Sequence, residues 1–257
     1  MAKIYSIINQ KGGVGKTTTT INLGTAMAAC GANVLIIDMD PQGNLSTGMG
    51  VEKVKREKGV YNILIDNLSI NDAVIKTEIP NLNLIPSNED LLGIDIELSN
   101  ESDRVMRLKK ALEDLNSYDY ILLDCPPSLS LLTLNALVAS TGALVPLQAE
   151  FYALEGLSQL LKTIEDIKNS VNHDLMLEGV IITMFDGRNN LSNQVEQDVR
   201  SYLGTDVFTT KIPRNIRLSE APSHGLPALI YDHKCPGSTA YINLAREVLN
   251  KSGWVIE

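Results

Sequence analysis

The feature that most constrains the fold of this chain is a glycine-rich segment that joins a short apolar strand to a helix. The apolar run IYSIIN at 4–9 leads into QKGGVGKTTTT at 10–20, and the periodic segment INLGTAMAAC follows at 21–30. Closely spaced glycines let a backbone approach an anion, and the N–H groups at a helix start point toward it. This order of elements indicates an α/β fold with a phosphate site at the end of the strand.

The rest of the chain repeats the alternation of short apolar runs and longer helical segments, which is typical of a parallel sheet with crossover helices. Its 257 residues, 44% hydrophobic and 21% charged, can bury an ordinary globular core. We therefore predict an α/β, doubly wound, mostly parallel sheet flanked by helices, in a single domain over 1–257. The predicted strands are 3–9, 33–38, 82–86, 120–124, 143–147, 179–184 and 207–212. The predicted helices are 17–30, 102–116, 129–140, 154–169 and 192–203. The segment 39–58 is predicted to be an exposed mobile loop or a functional switch.

The side chains of the glycine-rich loop have distinct chemical tasks. Lys16 is placed to meet the β and γ phosphates of a nucleotide, Thr17 to offer its hydroxyl to Mg²⁺, and Thr18 to reach the α phosphate. Compared with the general pattern GxxxxGK[ST], Gln10 replaces the first glycine and a second lysine, Lys11, enters the loop. The predicted nucleotide contacts here are Lys11, Gly12, Gly13, Val14, Gly15, Lys16, Thr17 and Thr18.

Two predicted strands end in carboxylates at the same edge of the sheet. The strand NVLIID ends at Asp38 and is followed by Asp40, while YILLDCPP carries Asp124 at its end. Ligands of open parallel sheets bind at this edge, and an acid after an apolar strand suits Mg²⁺, directly or through water. A buried strand also ends in aspartate where a turn or helix cap is needed, so each carboxylate taken alone keeps that alternative.

The loop resembles the deviant Walker A loop of the ParA/MinD family, whose pattern KGGxGKT[ST] matches 11–18 at every position. Three further motifs resemble the chromosomal Soj/ParA branch, so the resemblance extends from residue 3 to about residue 248. They are EFYALEGLSQLL at 150–161, MFDGRNNLS at 184–192 and KIPRNIRLSEAPSHGLP at 211–227. The resemblance implies a P-loop NTPase fold, ATP and Mg²⁺ as ligands, and ATP hydrolysis by a partitioning ATPase.

The same resemblance implies roles for individual residues. It assigns Asp40 to the attacking water and Asp38 to the surroundings of the metal, beside Thr17 and Asp124. It implies an ATP-dependent sandwich homodimer in which Lys11 reaches the partner's nucleotide, as a cation supplied in trans, so that Lys11, Lys16 and Asp40 are the catalytic residues. Residues expected beside the adenine are Pro213, Arg214 and Asn215, and those expected to contact DNA are Arg188 and Arg217.

Charge bears on the expected partners. The net charge is −9, yet residues 180–257 carry eight Lys and Arg against eight Asp and Glu, so the acidic excess lies earlier in the chain. The charge balance therefore allows a local basic face in the last third of the chain, but it does not predict a general affinity for polyanions. Arg188 and Arg217 have the alternative of pairing with Asp186 and Glu220. The resemblance implies non-specific double-stranded DNA and a ParB/Spo0J-like centromere-binding protein as partners, with a nucleoid-associated, cytoplasmic location.

Other classes share this nucleotide loop. A MinD-like membrane-associated positioning ATPase needs a basic amphipathic C-terminal helix, whereas 245–257 is short and nearly neutral, and Trp254 with its two apolar neighbours suits a membrane or the core. An electron-transfer protein like the nitrogenase iron protein needs cluster cysteines, but Cys30, Cys125 and Cys235 form no CxxC pair. A scaffold that binds ATP without hydrolysing it is disfavoured by Asp40. With no apolar run near about 18 residues and no cleavable signal, we predict a cytoplasmic protein without a membrane partner.

Overall fold

The strands form one seven-stranded sheet in the computed structural model, which describes residues 2–150 and 153–254. They are β1 (Lys3–Ile7), β2 (Val34–Asp38), β3 (Ile75–Lys76), β4 (Leu82–Ile85), β5 (Tyr120–Asp124), β6 (Gly142–Gln148) and β7 (Met176–Thr183). Their order across the sheet is β3-β4-β2-β5-β1-β6-β7, and every pair is parallel except the antiparallel edge pair of β3 and β4. The prediction of a mostly parallel α/β sheet is confirmed.

Helices cover both faces of this sheet because successive strand side chains point to opposite sides. Leu35 and Ile37 of β2 belong to one core cluster, whereas Val34 and Ile36 belong to the other. The helices are α1 (Lys16–Ala29), α2 (Asn44–Gly48), α3 (Val60–Leu64), α4 (Ile94–Glu97), α5 (Arg107–Leu112), α6 (Leu131–Ala139), α7 (Ala153–Ser170), α8 (Asn190–Leu203), α9 (Ile216–Glu220), α10 (Ala228–Tyr231) and α11 (Pro236–Lys251). The first cluster packs under α6 and α7 and the second under α1 and α11, so the doubly wound layout is confirmed.

The predicted strand at 207–212 is wrong. The segment lies beside β7, but only as isolated bridges, Val180 to Val207 and Phe185 to Pro213. Between them the carboxylate of Glu247, on α11, accepts hydrogen bonds from the main-chain N–H groups of Thr209 and Thr210 at 2.8 Å each. A side chain from a distant helix thus takes the donors that a continuous strand would use.

The predicted helix at 102–116 is also too long, since α5 spans only Arg107–Leu112. Asn135, a fully buried residue of α6, accepts a hydrogen bond from the main-chain N–H of Leu108 and donates one to the carbonyl of Arg104. These bonds satisfy the backbone where the helix would have continued toward residue 102. The helix start is therefore set by a neighbouring helix and not by local propensity.

The prediction of an exposed loop at 39–58 is confirmed only in part, because residues 52–55, 57 and 58 are exposed but other parts of the segment are buried; its role as a functional switch stays a prediction. The segment contains α2, and its Leu45 and Ser46 are fully buried. Arg56, only 6% exposed, donates hydrogen bonds to the main-chain oxygens of Gly43 and Val51. The buried guanidinium holds the segment together, because its planar set of N–H donors can bond several carbonyl groups at once. The elements that were not predicted from the sequence also include β3, α3, α4, α9, α10 and α11.

Candidate nucleotide-binding site

The glycine-rich loop, which joins β1 to α1, lines an open cavity. Gly13 and Gly15 have φ angles of +75° and +93°, which favour glycine, and the Thr183 hydroxyl of β7 anchors the loop by donating to the carbonyl of Val14 at 2.8 Å. Lys16 is 7% exposed, and its Nζ donates to the main-chain oxygen of Lys11 at 3.2 Å. Burial lowers the pKa of Lys16, and the nearby charge of Asp124 opposes that shift. The lysine is therefore held inside the loop, where an anion would bind.

Asp124, at the end of β5, connects the sheet to the first turn of α1. Its Oδ2 accepts a hydrogen bond from the Thr17 hydroxyl at 2.7 Å, and its Oδ1 accepts one from Thr20 at 3.2 Å. The carboxylate is fully buried, and burial, reinforced by the charge of Asp38, raises its pKa to about 8. A buried carboxyl beside a serine-like hydroxyl is a suitable pair of oxygen ligands for a hard cation such as Mg²⁺.

Of the two other acids, Asp38 is the last residue of β2 and is paired in register with Asp124, and Asp40 follows the strand. Asp38 is fully buried, and its Oδ2 accepts hydrogen bonds from the Ser46 N–H at 2.8 Å and the Ser46 hydroxyl at 2.6 Å. Burial raises the pKa of Asp38 to about 6. Asp40 lies on the cavity wall, and its Oδ1 accepts a hydrogen bond from the main-chain N–H of Gln42 at 3.0 Å. Asp38 thus contacts the loop after β2, and its role near a metal stays a prediction.

The main cavity encloses about 660 Å³ and adjoins a smaller one of about 140 Å³. Gly15, Thr18 and Met184 line both, so the two are neighbouring parts of one cleft. Met184 has a φ of +49°, which is uncommon for a residue with a side chain, at the point where β7 ends. The larger part is lined by the glycine loop and by Asp40, Gln42, Asn44, Thr47, Pro222 and Ser223; the smaller part is lined by the predicted adenine contacts Pro213, Arg214 and Asn215.

Lys11 and Gly12 lie at the rim of the cleft. The ammonium of Lys11 forms an ion pair with the carboxylate of Glu150, and both side chains are about half exposed. A Cβ atom added at Gly12 would meet no other atom within 4 Å. Within this protomer, therefore, nothing described prevents a side chain at Gly12, and Lys11 has an exposed acidic partner.

The two arginines expected to contact DNA are exposed and paired with acids close to them. The side chain of Arg188 is 91% exposed and forms an ion pair with Asp186 at 2.8 Å. Hydrogen bonds from Arg188 lower the pKa of Asp186 to about 2. Arg217 is half exposed and pairs with Glu220 at 2.9 Å and Asp232 at 3.4 Å. The alternative of local ion pairs is thus seen in the structure, and DNA binding by these arginines stays a prediction.

Several residues of the candidate site were not predicted from the sequence. Thr20 lies three residues after Thr17 on the same helix face, so helical spacing alone could have identified it as a second partner of Asp124. Ser46 comes to the site from α2 and Ser87 from the loop after β4, and no local sequence pattern marks either of them. Met184 also lacks a sequence signal, because its unusual backbone conformation becomes visible only in three dimensions.

Comparison with known proteins identifies the family of this chain. A family model described as an AAA domain matches residues 2–177. The chain is 53% identical over 252 residues to the chromosome partitioning protein ParA of Caulobacter vibrioides (strain NA1000 / CB15N), which covers 97% of this chain and 94% of that protein. This chain belongs to the ParA/Soj family of P-loop ATPases. It is likewise 52% identical over 249 residues to the sporulation initiation inhibitor protein Soj of Bacillus subtilis (strain 168), covering 96% of this chain and 98% of that one.

A solved structure supports the same assignment for this ParA/Soj family member. Cobyrinic acid a,c-diamide synthase from Mycobacterium smegmatis, with bound ADP and magnesium, has a TM-score of 0.86 at 35% sequence identity, covering 98% of this chain and 96% of that chain. The predicted P-loop NTPase fold is thereby confirmed. In the part of this chain that the structure describes, no helix has both the length and the apolar character required to cross a membrane.

Proposed function

We propose that this ParA/Soj family member is a Mg²⁺-dependent ATP hydrolase that uses its nucleotide as a switch for dimerisation and DNA binding. The observation that carries the proposal is the 2.7 Å hydrogen bond from the Thr17 hydroxyl to the buried Asp124 carboxylate, directly after the loop that holds Lys16. A cation for phosphates and a hydroxyl ligand for a metal thus line one cavity, and the Asp124 carboxylate is hydrogen-bonded directly to that hydroxyl. A structural relative at 35% identity has ADP and magnesium bound.

The residues present fit Mg²⁺ held together with a nucleotide. Mg²⁺ in such sites takes one or two protein oxygens and completes its shell with phosphate oxygens and water. Among the described residues, no group of three or more His, Cys, Asp or Glu side chains could hold a metal ion. Thr17 and Asp124 supply the smaller set, and Asp38 borders it through its pairing with Asp124. When bound, the metal would neutralise negative charge on the phosphates.

Hydrolysis requires a group that orients water toward the γ-phosphate. Asp40 follows β2 on the wall of the cavity, on a turn that its own carboxylate stabilises. We assign it to the attacking water, while Lys16 and the loop N–H groups stabilise the charge that develops on the phosphate. The catalytic set is completed by a cation from across a dimer, Lys11 of the partner subunit. In this reading Pro213, Arg214 and Asn215 surround the base in the smaller part of the cleft.

Dimerisation is supported by the rim of the cleft. Lys11 is half exposed there, so exchange of its Glu150 partner for a second nucleotide costs little desolvation. Because a Cβ at Gly12 meets open space in one protomer, a valine at this position should block association with a partner chain before it blocks nucleotide binding. We expect Gly12→Val to bind ATP within about threefold of the wild-type Kd and to sediment as a monomer with ATP. A Gly12→Val protein that is dimeric with ATP would contradict the sandwich arrangement.

The DNA-bound state is proposed to form through Arg188 and Arg217, doubled in the dimer. Exposed guanidinium groups release counterions from DNA phosphates without reading base sequence, so the binding should be non-specific and sensitive to salt. A ParB/Spo0J-like partner is proposed to stimulate hydrolysis through a basic segment, which suits the acidic excess before residue 180. We propose that one P-loop ATPase domain over 1–257 does this in the cytoplasm at the nucleoid.

The decisive experiment measures binding of the purified protein to a non-specific DNA duplex. Binding is compared with ATP, with ADP and without nucleotide, at two salt concentrations, for the wild type, Arg217→Ala and Asp40→Ala. We expect ATP-dependent, salt-sensitive binding that is weakened in Arg217→Ala and prolonged in Asp40→Ala, because a protein that cannot hydrolyse ATP stays in the bound state.

The result that overturns the partition assignment is equally specific. Absence of DNA binding in every nucleotide state, together with ATP-dependent binding to liposomes, would keep the nucleotide switch and transfer it to the MinD-like class. That alternative would use Trp254 for membrane contact, but in the structure the Trp254 ring packs edge-on against Tyr120, with ring centroids 5.9 Å apart. The two apolar residues after it, Val255 and Ile256, lie outside the described residues.

A further inference from the structure

A closed ring of hydrogen bonds holds the main chain of Asp40. Ser87 follows β4, is only 1% exposed, and donates a hydrogen bond from its Oγ to the main-chain oxygen of Asp40. The N–H of Ser87 donates to the Oγ of Ser46 at 3.2 Å, and that hydroxyl donates to Asp38 at 2.6 Å. Asp38 completes the ring by accepting a hydrogen bond from the main-chain N–H of Asp40 at 3.3 Å.

The ring connects three segments that are distant in the sequence. Asp38 ends β2 and Asp40 lies two residues beyond it, Ser46 lies on α2, and Ser87 belongs to the loop after β4. Asp38, Ser46 and Ser87 are all nearly or fully buried, so water cannot replace these hydrogen bonds. The ring therefore fixes both polar main-chain groups of Asp40 against the sheet, while the carboxylate of Asp40 remains on the cavity wall.

We propose that Ser46 and Ser87 are positioning residues for hydrolysis, which hold the main chain of Asp40 so that its carboxylate meets the attacking water. In this arrangement one carboxylate oxygen of Asp38 accepts hydrogen bonds from Ser46 and the other accepts one from the main-chain N–H of Asp40. Asp38 therefore acts mainly as the anchor of the ring. The inference rests on the proposed function, since it requires that Asp40 takes part in ATP hydrolysis. It adds two residues, from α2 and from the loop after β4, to which no role in the reaction is otherwise given.

A small displacement of Asp40 should be costly for the rate and nearly neutral for affinity. Misplacing a reacting or orienting group by about 1 Å lowers a rate by up to about 100-fold. The phosphates, by contrast, are held by the glycine loop and Lys16, which share no hydrogen bond with Ser87 among the described contacts. Ser87→Ala removes one of two hydrogen bonds at the Asp40 oxygen, since the Gly43 N–H also donates to it at 2.9 Å. A partial loss of rate is therefore expected.

The test compares Ser87→Ala with the matched variant Ser140→Ala. Ser140 is also buried, 2% exposed, and its Oγ also donates to a main-chain oxygen, that of Ala136 at the end of α6. Single-turnover ATP hydrolysis, the Kd for ATP and the Tm are measured for both. We expect Ser87→Ala to lower the hydrolysis rate roughly tenfold with a Kd within about twofold of wild type, and Ser140→Ala to change only the Tm.

A second comparison tests whether the two serines act as one unit. Ser46→Ala and the double variant Ser46→Ala/Ser87→Ala are measured in the same assay. Members of one ring are coupled, so the double variant should be no slower than the slower single variant. Additive losses, or a Ser87→Ala rate equal to wild type, overturn the inference while leaving the proposed function intact. A wild-type protein that does not hydrolyse ATP, or an Asp40→Ala protein that hydrolyses it normally, overturns the proposed function itself.

Discussion

The glycine loop at 10–20 and the arginine segments at 185–188 and 211–217 use charge in opposite ways. At the loop, the buried Lys16 donates a hydrogen bond to the main-chain oxygen of Lys11, and the buried Asp124 of β5 accepts one from Thr17, which is distant in the chain. In the arginine segments, Arg188 and Arg217 are exposed and pair with acids a few residues away. The loop is thus a site whose chemistry depends on fixed geometry, whereas the proposed DNA binding of the arginine segments would depend on competition between charges.

The acids of the two regions show the same contrast. Burial raises the pKa of Asp124 to about 8, whereas the hydrogen bonds from Arg188 lower the pKa of Asp186 to about 2. A buried charge is expensive until a ligand neutralises it, and an exposed pair is screened by water and salt. Changes in the loop should therefore have large effects on nucleotide chemistry, and changes among the arginines small, graded effects on DNA binding.

The largest effect is expected from Lys16→Ala. Removal of the buried ammonium leaves the phosphates without their fixed cation, so ATP hydrolysis should fall by about 1,000-fold or more and the Kd for ATP should rise by about 100-fold. Titration calorimetry and a hydrolysis assay measure both. Lys53→Ala is the control, because Lys53 is 82% exposed and pairs only on the surface with Glu89. Comparable losses in the two variants would remove the distinction between buried and exposed cations.

The next effect concerns the stability of the protein without nucleotide or metal. The folded-state pKa of Asp124 is raised to about 8 from an ordinary value of 3.8, so the unfolded chain loses this proton first. Stability should fall as pH rises from about 4 to about 8, by on the order of a few kcal/mol. Denaturant unfolding at several pH values measures it. The fall should be smaller in Asp124→Asn, and an equal fall in both proteins would contradict the assignment.

A smaller effect is expected from Arg217→Ala on DNA binding. In the proposed ATP-bound dimer the variant would lose two phosphate contacts, so the slope of log Kd against log salt should decrease by about 2 and the affinity by roughly tenfold. Fluorescence anisotropy over a salt series measures both quantities. Arg246→Ala, which removes an exposed arginine of α11, is the matched control. An unchanged slope in Arg217→Ala would exclude this arginine from the DNA interface.

The smallest effect is expected from Asp186→Asn. The change removes the exposed carboxylate that pairs with Arg188, so ATP-dependent DNA binding should become tighter, by about 2- to 5-fold. The same anisotropy assay measures it. Because the gain requires Arg188, it should vanish in Arg188→Ala/Asp186→Asn. Weaker binding by Asp186→Asn would indicate that the ion pair orders Arg188 for DNA instead of competing with it.

Prediction from the sequence worked best where one short segment contains both the secondary-structure elements and the functional side chains. The loop and the strand-end acids Asp38 and Asp124 were predicted correctly in position, because strand, glycine turn and helix start are adjacent in the chain. The true extents of the strand predicted at 207–212 and of the helix predicted at 102–116 could not be predicted from the sequence. Glu247 and Asn135 reach those segments from other helices and decide where their backbone hydrogen bonds go.

The sequence by itself determined the α/β class, the phosphate loop and the edge of the sheet at which the acids lie, since these follow from local periodicity and from glycine geometry. Only the tertiary structure decided what each acid contacts. Asp124 meets Thr17, whereas Asp38 meets Ser46 in a ring with Ser87, although both acids end neighbouring parallel strands. The physical reason is that a buried carboxylate must be matched by hydrogen-bond donors, and those donors come from the helices α1 and α2, whose positions against the sheet depend on packing.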